Sequence, residues 1–348
     1  MKTFLLISLT ALCLYGKAQD TVKIKTNLTP EQEAENAYNA ALELVAKKDL
    51  NGAIDNFSKA ISLNPNFDKA FLNRGYAKYN SKNNDAAIED FNKTNAIKPN
   101  AEAFFGKAQC FYAQNKKDSC EQNLDKSIAT DANFSKAYYM KGQLKFESQD
   151  YKEAISNYDK ALAINPDYAY AYNDRASAKK MLGDETAAIS DYEKAVVSDG
   201  QLYFAYNNLG SAKRNKGDNA GAIQAYNKAI SIKPDYYVAL NNRGVAKLNS
   251  NDIAGAIADF DAALRIKSDY VSAMNNMASA YIKKQDYKAA LDWCNKTISL
   301  DPKAGAAYVN RGIAKQMLKD EEGACHDWKK ANELGMAVGK SYSDGLCD

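Results

Sequence analysis

The chain of 348 residues contains a single histidine, His326. That scarcity removes most Ser/His and Cys/His nucleophilic schemes, which need an imidazole base. Proline is also scarce, at six residues, and no Gly/Ser-rich run occurs, so the sequence gives no sign of flexible interdomain linkers. No cysteines have CxxC spacing and no HxxxH pair exists, so no metal motif is present, and no cofactor motif stands out. No stretch of eighteen consecutive apolar residues follows the N-terminal region, so no later segment reads as a membrane-spanning helix. A strong charge excess is missing too. The formal net charge is +3, and loss of Lys2 and Lys17 would leave +1. Such a chain lacks the electrostatic footprint that nucleic acid or an anionic membrane selects.

The first eighteen residues read as a leader. Lys2 supplies a basic start, and Phe4 to Tyr15 is an apolar stretch too short to span a bilayer. Gly16-Lys17-Ala18 then places small residues where a signal peptidase requires them, with cleavage before Gln19. Leu12 stands where a lipoprotein signal needs a small residue, which argues against an anchor on Cys13. The expectation is export to the periplasm or the exterior, with residues 1–18 as signal peptide and 19–29 as a lead-in.

What is abundant is periodic. Pro65 and Pro99 are 34 residues apart, and Pro166, Pro234 and Pro302 are spaced from one another by twice that interval. Each ends a helical stretch, as proline must. Counting from each turn, position 8 is small (Gly75, Gly142, Ala176, Gly210, Gly244, Gly312). Position 20 is nearly always Ala, and position 24 is mostly aromatic (Phe57, Phe91, Tyr158, Tyr192, Tyr226, Phe260, Trp328). Small residues let two antiparallel helices approach closely, and the ring fills the space beside them. One such pair cannot bury its apolar face alone, so neighbours must stack on it.

This pattern resembles the tetratricopeptide repeat family. The resemblance implies an all-α fold: an α-solenoid, coiled as a right-handed superhelix, of about nine 34-residue helix pairs. The array covers 30–338, with a short C-terminal cap over 339–348. Units begin near Ala34, Asp68, Glu102, Ser135, Ala169, Tyr203, Tyr237, Val271 and Gly305, with the third one residue short and Gln109 at its position 8. Thr29-Pro30-Glu31-Gln32 reads as a capping box opening the first helix. Gly335 closes the last long helix, and Met336 to Leu346 is expected to form a covering helix.

Position 7, commonly apolar in the family, is Arg74, Arg175, Arg243 and Arg311. Sixteen residues on stand Asp90, Asp191, Asp259 and Asp327. Repeats without the Arg also lack the Asp, so a salt bridge joining the two helices of one repeat is expected. Cys325 and Cys347 are placed to staple the C-terminal end in an oxidising compartment. Pairing of Cys110 with Cys120 stays open, and Cys294, in the aromatic slot, reads as a buried thiol.

The resemblance also implies that the first helix of each unit lines a concave groove, through positions 2, 5, 6, 9, 12 and 13. In the C-terminal half these carry doubled asparagines: Asn173, Asn207, Asn208, Asn241, Asn242, Asn275, Asn276 and Asn310. Amides suit the backbone of an extended peptide; equally, they can bridge adjacent helices. In the N-terminal half the positions are aromatic: Tyr38, Tyr76, Tyr79, Phe105, Tyr112, Tyr139, Phe146 and Tyr170. These suit protein contact or glycan stacking; equally, they can pack between repeats. The expected function is a non-catalytic envelope or exterior scaffold that binds a protein or extended peptide, with no nucleic acid and no membrane segment after cleavage. The alternative is a self-associating part of an envelope assembly.

Overall fold

The computed structural model describes residues 28–337 together with 342 and 347. The signal peptide, most of the lead-in and most of the proposed covering helix lie outside the described residues. Among the described residues there are eighteen α-helices and no strand. The chain divides into two compact units between Lys98 and Pro99. The first holds α1 (Pro30–Ala46), α2 (Leu50–Leu63), α3 (Asp68–Asn80) and α4 (Asn84–Ile97). The second holds α5 (Ala101–Ala113), α6 (Lys117–Thr130), α7 (Ser135–Glu147), α8 (Tyr151–Ile164), α9 (Ala169–Met181), α10 (Glu185–Ser198) and α11 (Tyr203–Asn215). It continues through α12 (Asn219–Ile232), α13 (Tyr237–Asn249), α14 (Ile253–Ile266), α15 (Val271–Lys283), α16 (Tyr287–Leu300), α17 (Gly305–Met317) and α18 (Glu321–Glu333). Odd-numbered A helices and even-numbered B helices pair as hairpins, so repeat one is α1–α2 and repeat nine is α17–α18. This is an all-α solenoid of nine helix pairs.

Local chemistry makes each hairpin. In Ser148-Gln149-Asp150, Gln149 takes a left-handed conformation (φ 64°) and reverses the chain. Asp150 then accepts a hydrogen bond from the backbone N–H of Glu153 at 3.2 Å, capping α8. Gly183 and Gly217 hold the same left-handed place in their turns without the side-chain penalty. Inside the hairpins, small residues and rings interlock. A Cβ on Gly75 would lie 2.7 Å from the Phe91 ring, so only hydrogen fits there. At the N-terminus the capping box is complete: Thr29 Oγ1 accepts from Gln32 N (3.2 Å), and Gln32 Oε1 accepts from Thr29 N (2.9 Å). At the other end Gly335 turns left-handed (φ 82°), and the Tyr342 ring stacks on Trp328 at 4.9 Å.

One boundary needs correction. Repeat three begins at Ala101, not Glu102, and it is Ala108, fully buried, that packs with Cys120 and Leu124. Gln109 therefore does not occupy the small position. Repeat three is full length; the missing residue is in the turn before it, Lys98-Pro99-Asn100. Turns such as the ones ending in Phe134 and Tyr168 place a ring before the A helix, where it packs on Phe105 (5.4 Å) and Tyr139 (4.7 Å). Asn100 instead caps α5 directly, accepting from Ala103 N at 3.0 Å.

Candidate partner-binding surface

The asparagines form rungs between successive A helices. Asn208 donates to Asn173 Oδ1 (3.1 Å), Asn242 to Asn207 (3.0 Å), Asn276 to Asn241 (2.9 Å) and Asn310 to Asn275 (2.9 Å). The donor is always at position 6 and the acceptor at position 5 of the preceding repeat. Asn173, Asn207 and Asn241 are buried, and Asn275 is half-buried. The reading of position 5 as a ligand-contacting row is thus corrected for Asn173, Asn207 and Asn241, which burial removes from reach, and one donor of each position-6 amide is already committed. Two more rungs use tyrosine at position 5. Asn73 donates to Tyr38 Oη (2.9 Å), and Tyr139 donates to Asp174 Oδ2 (2.7 Å).

Most of the aromatic row is also internal. Tyr139 is a rung. Tyr76 meets Phe91 edge-on at 5.1 Å, inside its own hairpin. Phe105 packs on Phe134, and Tyr79 is half-buried. Phe146 meets Tyr151 edge-on at 5.3 Å but keeps a face toward a recess. Only Tyr112 (41% exposed) and Tyr170 (47%) of the eight stand in solvent. The reason is geometric: rings at position 5 point toward the neighbouring repeat, and the position-9 ring of Tyr76 packs within its own hairpin.

The recess has a volume of about 200 Å³ and is lined by Tyr112, Gln143, Phe146, Glu147, Tyr158, Asp174 and Ser177. It lies between α5, α7, α8 and α9. Tyr170, Asp174, Ser177 and Met181 follow at i, i+4, i+7 and i+11 along one stripe of α9. Burial pushes the Asp174 carboxyl above the usual carboxylate range, against hydrogen bonds from Tyr139, Asn173 and Gln143 that pull it down. Glu147 behaves oppositely: burial works to raise it, but hydrogen bonds from Tyr112 and Lys117 prevail and hold it low. The same bond to Glu147 is the main cause that pushes the Tyr112 hydroxyl up to about 12. Sequence reasoning missed Gln143, Glu147, Tyr158 and Ser177 as lining residues. The available signals were Asp174 in a file of asparagines, and Gln143 where later repeats carry Ser177, Ser211 and Ser279.

The position-7 arginines are brought to their carboxylates within one repeat. Arg243 donates to both oxygens of Asp259 (2.8 and 2.6 Å), and Arg74–Asp90, Arg175–Asp191 and Arg311–Asp327 repeat the fork. Two further contacts were not legible. Lys78, Lys179, Lys247 and Lys315 place a second cation on each aspartate at 2.7–2.9 Å. The remaining guanidinium nitrogen reaches the preceding B helix, at Ser58, Asp159, Asn227 or Asn295. Each aspartate side chain is at most 6% exposed, so each cluster rivets three helices.

Cys325 and Cys347 have their sulfurs at 1.98 Å and their Cα atoms 5.6 Å apart. Cys110, Cys120 and Cys294 are buried, and burial pushes the Cys120 and Cys294 thiols up to about 12, which keeps them protonated. Among the described residues no three His, Cys, Asp or Glu side chains cluster as metal ligands, and no helix is long and apolar enough to cross a membrane.

Family models agree with this architecture. The TPR repeat model matches residues 41–82, 142–183 and 210–251, and the tetratricopeptide repeat model matches 241–307. No curated protein matches the sequence. Solved structures are similar in fold. A tetratricopeptide repeat protein from Parabacteroides merdae aligns with TM-score 0.57 at 18% identity, over 71% of this chain and 99% of its own. The C-terminal part of a TPR repeat-containing protein from Cytophaga hutchinsonii gives 0.56 at 19%, over 69% and 98%. The Cut9–Hcn1 hetero-tetramer of the APC/C gives 0.57 at 14%, over 93% and 78%. With the helix pairs, the 34-residue period and the family models in agreement, this chain belongs to the tetratricopeptide repeat family.

Proposed function

We propose that this chain is a non-catalytic scaffold, exported to the envelope or exterior, that binds a segment of a partner protein on the A-helix face of its second unit. The observation that carries the reading is the recess beside the α9 stripe. There the α9 stripe that supplies Asp174 and Ser177 to the recess also carries exposed Tyr170 and Met181, in a molecule whose other rings mostly face inward. Exposed aromatic and thioether groups beside a pocket are what a partner's anchor side chain needs. The fold supports this, since Cut9 is found assembled with Hcn1. The leader-like residues 1–18 and the closeness of Cys325 to Cys347 support export to an oxidising compartment.

The test is capture from an envelope extract by residues 19–348, against a Tyr170→Asp, Met181→Asp variant shown to fold by circular dichroism. Both sites are exposed, so the variant should fold. A protein retained by the first and lost by the second supports the reading. Equal capture would take this face out of the mechanism, and capture of the chain's own copies would favour self-association.

A further inference from the structure

Along the second unit, position 6 is asparagine in repeats six to nine and aspartate only in repeat five. The rung itself does not require a charge, because amides close the same rung four times. Asp174 nevertheless places an acidic group there, and no cation is paired with it among the described residues. Its hydrogen-bond partners Tyr139, Asn173 and Gln143 are all neutral. The nearest basic residues in sequence, Arg175 and Lys179, are committed to Asp191.

A second irregularity lies in the same recess. The other two tyrosines at position 24 each have a serine partner: Ser177 bonds the Tyr192 hydroxyl at 2.9 Å, and Ser211 bonds that of Tyr226 at 3.1 Å. At Tyr158 the corresponding residue is Gln143, which turns to Tyr139 instead. Tyr158 is 1% exposed, lines the recess, and its hydroxyl is hydrogen-bonded by no described residue. The pocket thus holds an unpaired carboxylate, an unused hydroxyl and the rings of Tyr112, Phe146 and Tyr158.

We infer that this recess is a subsite for an arginine side chain of the bound segment; the inference rests on the scaffold reading above. A guanidinium is planar, so it stacks on aromatic faces while forking onto a carboxylate. About 200 Å³ holds that group, since a water in the liquid takes about 30 Å³. A hard metal ion is a poorer occupant, because it asks for six or more oxygens and the walls here are rings. Glu147, also in the lining, is already paired with Lys117, which leaves Asp174 as the acidic group without a cation.

The probe is a capped heptapeptide, alanines flanking one central arginine, compared with its citrulline twin, which keeps the shape and loses the charge. Each is titrated into residues 19–348 by isothermal calorimetry, and a lysine twin measures the value of the planar fork. The arginine peptide is expected to bind at least tenfold tighter than the citrulline peptide, with lysine between them. Asp174→Asn should erase that preference. This variant should fold, because asparagine already serves at the same position in four repeats. Equal affinity for the arginine and citrulline peptides, a preference that survives Asp174→Asn, or no binding of the arginine peptide at millimolar concentration would each overturn the inference. The two readings fail separately: partner capture that persists with Tyr170→Asp, Met181→Asp overturns the scaffold face, whereas a missing arginine preference overturns the subsite alone.

Discussion

Repeats six to nine and repeats three to five use the same helix pair with different results. In the later stretch each A helix is tied to the next by an amide-to-amide rung, and serine closes the Tyr226 hydroxyl. In the earlier stretch the rung joins a tyrosine to an aspartate, glutamine replaces the serine, and a recess opens. The backbone does not differ in kind. Two substitutions, at positions 6 and 9, set the acidic rung beside the recess apart from the amide rungs that follow it. The proposed binding capacity of this array thus rests where the repeat departs from its own rule.

The largest effect should fall on what the two stretches share. Asp191→Ala and Asp259→Ala each leave an arginine and a lysine facing a buried gap, so each should cost ~3 kcal/mol or more in chemical denaturation. Arg243→Leu should cost less than Asp259→Ala, because Lys247 still neutralises the carboxylate. The loss should be the smaller for Asp191→Ala, because Arg175 keeps Asp159 while Arg243 keeps only the neutral Asn227; the reverse order would mean that the stretches differ in their frame as well as in their pocket.

A smaller effect should separate the stretches by sign. Asn241→Leu removes a buried acceptor and strands the Asn276 donor, at a cost of about 1–3 kcal/mol. Asp174→Asn at the other type of rung should stabilise the protein at neutral pH. The Asp174 carboxyl is raised in the folded state, so ionisation opposes folding. Its contribution to stability is complete below the unfolded carboxylate range and is lost as pH rises through the folded value. The melting-point gain of Asp174→Asn should therefore fade on acidification. The groups facing Asp174 are Tyr139 and Glu147 of α7, Tyr158 of α8, Tyr192 of α10 and Tyr168 before α9. The tyrosines stay neutral across that window, and Glu147, held low, titrates below it. A gain that is flat with pH would assign the stabilisation to packing instead.

The helix pairs were legible because stacking forces small residues and rings to recur at fixed intervals. The Arg–Asp forks were legible because both partners change together from repeat to repeat. The accompanying lysines were not, since lysine is common at exposed positions and carries no pattern of its own. The start of repeat three was misplaced because Pro99 keeps its 34-residue spacing from Pro65 while the deleted residue lies just beyond it. The asparagines were visible as a row, but periodicity cannot say whether an amide faces a ligand or the next helix. That depends on a 35-residue bridge between positions 6 and 5, which exists only once neighbours have stacked.

The rungs also give the array a polarity with consequences for how such chains lengthen. From Asn208 onward the C-terminal member donates and the N-terminal member accepts. Repeats six, seven and eight therefore end in matching couplings and could be duplicated or exchanged in a gene without redesign. Repeat five is an adapter: it takes a hydroxyl on one side through Asp174 and an amide on the other through Asn173. Growth by duplication would extend the run of amide rungs on one side of it and leave the acidic rung a single copy.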